Sequence, residues 1–172
     1  MPCVRLFARE NSHEGYAMSS ESLKDTTAMP VVGKPPSRVT VTWAGDHRFD
    51  GQRQSGGPAI RMDASGETGP SPVDTLLAAL AGCTGVDVVD ILAKRRTPVQ
   101  ALSVDVEGER FAGVPGRVTA ITLTYRIIGA DVERQHAERA IELAVTKYCS
   151  VRDSLDPAMP ITWTLELNGA QN

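Results

Sequence analysis

The stretch from Ser71 to Arg96, SPVDTLLAALAGCTGVDVVDILAKRR, constrains this chain more than any other feature. Ser71 as N-cap, Pro72 at the first helical position and Asp74 three residues after the cap make an S-x-x-D capping box. The helix so opened is expected to end near Arg95, ahead of Pro98. Between those signals it is apolar on nearly every side, so it must be buried on nearly every side. Asp87 and Asp90 interrupt the apolar run, and a bilayer span needs roughly 20 clean apolar residues. A core helix, with no membrane partner, is the expectation.

Strand signals flank this helix. In RVTVTW, Val39, Val41 and Trp43 alternate with threonines, which predicts a strand with one buried face. Turns follow, with a ragged hairpin and a short strand near Ala59 to Met62. After the helix, Leu102, Val104 and Val106 alternate in one run, and Ile121, Leu123, Tyr125 and Ile127 in the next. Gly113, Pro115 and Gly116 between them predict an antiparallel pair. Ala137, Ala140, Ile141, Ala144, Val145 and Tyr148 then fall on one face of a helix expected from about Asp131 to Tyr148. SVRDSL repeats the capping signal, with Ser150 as N-cap and Asp153 three residues on. Ile161, Trp163, Leu165 and Leu167 face inward from a last strand. This order predicts an α+β fold with helices packed on antiparallel sheet. Residues 1–37 carry no sustained period and are expected to be a poorly ordered arm, leaving 38–172 as a single domain.

Several functional classes are excluded on composition. With 18 basic against 21 acidic side chains in 172 residues, the net charge of -3 offers no footprint for nucleic acid. The N-terminus lacks the apolar core of a secretory signal, so a cytoplasmic protein is expected. His13, His47 and His136 have no ligand spacing with the cysteines, so no metal is expected, and no phosphate-binding glycine loop occurs.

Three cysteines remain, Cys3, Cys83 and Cys149. Cys83 stands beside Gly82 and near Gly85, residues that cost about 1 kcal/mol each in a helix interior. It lies beyond the reach of its own helix dipole, and Asp87 one turn on disfavours a thiolate. It is therefore either apolar filler or a nucleophile served by a cation from elsewhere in the fold. Cys149, just before the capped SVRDSL segment and near Arg152, faces a helix N-terminus that would favour a thiolate, with a purely structural role as the alternative. Cys3 has no assigned role.

The sequences GPSPVDTLLAALAGC, VDVVDILAKRR and KYCSVRDSL, in this order, resemble the OsmC/Ohr family, the osmotically inducible protein C and organic hydroperoxide resistance proteins, over residues 38–168. The likeness is to the general OsmC-like branch. The resemblance implies an OsmC-like fold, sheets around a long central helix in an intertwined homodimer. It further implies a cofactor-free peroxidase in which Cys83 attacks an organic hydroperoxide and Cys149 resolves the sulfenic acid as a disulfide, a dithiol or lipoylated protein being the reductant. The family holds its first cysteine as thiolate with an arginine, for which Arg48 is the best match and Arg53 the second, positioned by a glutamate at the helix start. Here that glutamate position is Val73, and Asp74, one residue on, is rotated by about 100° and engaged in the cap. The alternative reading is a dimer that binds small molecules or senses redox state without efficient turnover.

Overall fold

The structure, a computed structural model, describes residues 33–169. Strands β1 (Val39–Trp43), β2 (Arg48–Arg53) and β3 (Ile60–Asp63) form an antiparallel meander. Helix α1 (Pro72–Lys94) leads to the long hairpin β4 (Ala101–Arg110) and β5 (Val118–Ile128). Helix α2 (Arg134–Leu143), a π-helical turn (Ala144–Tyr148) and the short α3 (Ser150–Asp153) precede β6 (Ile161–Leu167). Among the described residues, the chain from Ser37 onward makes one compact unit. The reading of the N-terminal arm as poorly ordered falls, for residues 1–32, outside the described residues.

The capping box opens α1: the Asp74 N–H donates to Ser71 Oγ (3.1 Å), and the Ser71 N–H to the Asp74 carboxylate (3.0 Å). Arg95 caps the other end. By length and composition α1 could cross a membrane. In the fold it lays Leu80, Thr84, Val88 and Leu92 on the second sheet. There Leu123 is paired with Val106 and Trp163, and Tyr125 with Val104 and Leu165, so the alternating apolar residues of all three strands share one face. Gly108 on β4 permits the close crossing, since a Cβ there would lie 3.1 Å from both methyls of Leu77. From α2, Ala137, Ala140 and Ile141 complete the core.

Four expectations are corrected. The second sheet is not wholly antiparallel: β6 pairs parallel to β5, because the intervening helices carry the chain back to the starting end of β5 before it re-enters the sheet. The segment read as a ragged hairpin holds a full strand, β2, whose sequence RFDGQR has too little apolar alternation to announce itself. The expected buried face of β1 is uncovered, with Val41 54% and Trp43 65% exposed. Finally, α2 starts later than Asp131, and Tyr148 turns outward under Lys147 because the π turn breaks the 3.6-residue period that would have carried it inward.

Asp63, buried at the end of β3, fixes the loop that delivers the chain to α1. Its carboxylate accepts the N–H of Ser65 (2.9 Å) and both the N–H (3.1 Å) and hydroxyl (2.8 Å) of Thr68. These bonds, the Thr68 hydroxyl foremost, hold its pKa below the ordinary carboxylate value. A carboxylate with a depressed folded-state pKa stabilises above its unfolded value, about 3.9, and that stability is lost as pH falls through the folded value. Asp63→Asn is therefore expected to lower the urea midpoint at pH 7, with the difference from the parent narrowing toward pH 3. Equal loss at both pH values would contradict this assignment.

Candidate active site

Two elements converge on one point. Cys83 sits three turns into α1, partly exposed, followed by Thr84, which is fully buried. The Thr84 hydroxyl approaches the Leu80 carbonyl (3.1 Å) and receives the hydroxyl of buried Tyr125 on β5 (2.7 Å). This is a polar tie at the residue next to the thiol, within an otherwise apolar core.

Cys149 arrives from the π turn. Its N–H reaches back five residues to the Ala144 carbonyl (3.1 Å), and its own backbone is extended, with φ -71° and ψ 107°. Its Sγ accepts the Arg152 N–H (3.3 Å), so the sulfur itself is the N-cap of α3. This corrects the expectation that Ser150 caps that helix: the π turn adds a residue to the winding, and the chain leaves helical geometry at Cys149. Cys83, Cys149 and Val151 pack in one cluster, and both cysteines are free thiols.

The surroundings push the two thiols apart. Burial raises Cys83, but hydrogen bonding from the Cys149 thiol, the Val151 N–H and the Ser150 hydroxyl outweighs it, together with the repulsion of Asp87, and the net shift is downward. Cys149, only 4% exposed, is pushed up to about 11, first by burial and then by its bond to Cys83. The start of α3 thus favours a thiolate on Cys83 and not, as the sequence spacing suggested, on Cys149. Tyr125, raised by burial to about 12, stays protonated behind the pair.

Arg48, the expected partner of the first thiol, is paired locally within the single chain. It starts β2, and its guanidinium is taken by the Asp46 carboxylate and the Gly45 carbonyl. Arg53 ends the same strand. Val73 occupies the second position of α1, and Asp74 is spent on the cap. A Cβ added at Gly82 would meet nothing within 4 Å, and one at Gly85 only the Leu102 side chain at 3.6 Å, so close packing within one chain demands glycine at neither. A cavity of about 310 Å³ is walled by Cys149, Lys147, Arg152 and Ile161 among others. Among the described residues no group of three His, Cys, Asp or Glu side chains could hold a metal, and Cys3 lies outside those residues. Sequence reading missed Thr84, Tyr125 and Ser150 as neighbours of the thiols. A threonine within an apolar helix, and a tyrosine in a run of inward-facing aliphatics, were the available signals for the first two.

A partly buried thiol pair at a helix–turn contact, under a long helix crossing a small sheet, defines a class of α+β proteins. The family model for OsmC-like protein matches residues 64–164, and the chain belongs to that family. It is 35% identical over 133 residues to Protein YhfA of Escherichia coli K12, covering 77% of this chain and 99% of that one. It is also similar to the crystal structure of a hypothetical protein from Aquifex aeolicus VF5, with TM-score 0.67 and 27% identity over 78% of this chain and 99% of that chain. The fold is shared with the organic hydroperoxide resistance protein OhrB of Bacillus subtilis, TM-score 0.52 and 18% identity, over 77% and 98% of the two chains.

The opposed shifts predict an order of labelling. With limiting iodoacetamide at pH 7.5, Cys83 is expected to alkylate well before Cys149, as read by peptide mass mapping. Equal or reversed labelling would contradict the geometry described.

Proposed function

We propose that this protein is a thiol-dependent peroxidase for organic hydroperoxides, working as a homodimer through Cys83 and Cys149. The observation that carries the reading is the contact of two free thiols with opposed acidities. The Cys83 thiolate attacks the distal oxygen of a hydroperoxide, the O–O bond breaks, and the alkoxide leaves as the alcohol after taking a proton. Cys83 is then a sulfenic acid. Cys149, already in contact, displaces its hydroxyl as water, and the disulfide forms. A small dithiol or a lipoylated protein reduces that disulfide in two exchange steps, restoring both thiols and leaving as its own disulfide.

Dimerisation is supported by what one chain leaves uncovered. Val39, Val41, Trp43, Phe49 and Ile60 share one apolar face of the first sheet, and Leu76, Val86 and Val89 of α1 are exposed as well. A second copy would bury both surfaces. A second functional reading, a dimer that binds small molecules or senses redox state, is favoured by the pairing of Arg48 with Asp46 and by Val73 at the family glutamate position.

Two outcomes are expected. Reduced protein carrying Cys3→Ser, given one equivalent of cumene hydroperoxide, loses two thiols into a Cys83–Cys149 disulfide and turns over repeatedly with a dithiol. Cys83→Ser falls to the uncatalysed rate, and thiols still free after minutes would sink the peroxidase reading. In light scattering the chain runs at about twice its 18.4 kDa, and Val41→Asp shifts it toward monomer.

A further inference from the structure

A row of half-buried side chains along α1 leads to Cys83. Cys83, Asp87 and Ile91 recur at four-residue intervals, beside the buried row of Leu80, Thr84, Val88 and Leu92. In a continuous helix such neighbours stand one above the other, with Cβ atoms about 5–6 Å apart. The Cα–Cβ bonds tilt toward the helix N-terminus, so the Asp87 side chain leans back over Cys83 and not away from it. Asp87 also lines a cavity of about 380 Å³ together with Asp90, Ile91, Leu143 and Tyr148. The bases of that cavity, Lys94 and Arg95, come eleven and twelve residues after Cys83, about 16 Å or more along the axis. That is past the Debye length of about 8 Å at physiological salt, whereas Asp87 falls within it.

We infer that Asp87 is a specificity-determining residue: its carboxylate, one turn from Cys83, discriminates against anionic partners of that thiol, so the hydroperoxides taken are uncharged alkyl and aryl ones and not those of fatty acids. The same carboxylate opposes a negative charge on Cys83 and on Tyr125. A group that works against the thiolate does not activate it, and its place above the sulfur and beside a cavity suits it to act on what approaches. The substrate class rests on the peroxidase reading; the field at Cys83 does not.

The test compares iodoacetate with iodoacetamide, alkylating agents that differ by one negative charge, on Cys83 of the reduced full chain at low ionic strength, read by peptide mass mapping. Both consume the same thiolate, so the ratio of their rates cancels its population and reports the local field. Asp87→Asn keeps the shape and removes the charge. It should raise the iodoacetate to iodoacetamide ratio by about threefold, the effect of one unit charge about 6 Å away in water, and the rise should shrink in high salt. Asp87→Ser should act like asparagine, and Asp87→Glu should hold near the parent ratio. An unchanged ratio in both charge-removing variants would overturn the assignment, as would a glutamate variant that behaves like asparagine. In peroxide turnover, Asp87→Asn should gain on a fatty-acid hydroperoxide relative to cumene hydroperoxide, and no gain would overturn the substrate class. Alkylation needs no peroxide, so a shifted ratio without hydroperoxide turnover would leave the charge discrimination standing and remove the peroxidase reading alone.

Discussion

Everything in this chain is arranged around the burial of α1. A helix of 23 residues that is apolar on nearly every side cannot be satisfied by one sheet, which covers only the row from Leu80 through Thr84 and Val88 to Leu92. The second sheet, with three strands presenting a common apolar face, takes that row, and α2 closes one flank. The remaining sides carry exposed leucine and valine, and the meander exposes valine, tryptophan, phenylalanine and isoleucine. An open surface of that composition is unfavourable in water at about 25 cal/mol per Å².

The same burial creates the chemistry. A thiol in the middle of a long helix is far from any dipole end of its own element. A second helix start follows because α2 unwinds into a π turn that carries the chain to Cys149. Capping that start with sulfur, not with the serine next to it, commits Cys149 to the helix.

Much of this was legible in the sequence. The capping box of α1, its end, the β4–β5 hairpin and the inward faces of β4, β5 and β6 follow from local signals, because each depends on residues within a few positions of one another. The parallel return of β6 was not legible, since strand alternation fixes a face and says nothing of direction. Nor was the π turn: Ala144, Val145 and Tyr148 fit an α-helical period perfectly well, and no local residue announces the break. The acidity of Cys83 was misread for the same reason, as its donors come from another element. Membership of the OsmC-like family was readable because its two cysteine segments are contiguous strings.

The parallel pairing of β5 and β6 has a consequence for biosynthesis. Residues 149–151 lie within the crossover between those strands, far along the chain from Cys83, and β6 is the last element of the described chain. While the chain is being made, α1 emerges long before them, and its thiol has Asp87 for company and no donor to hold a charge. Cys83 therefore waits, as the chain is made, until the segment around Cys149 has emerged before it meets the surroundings it has in the finished fold.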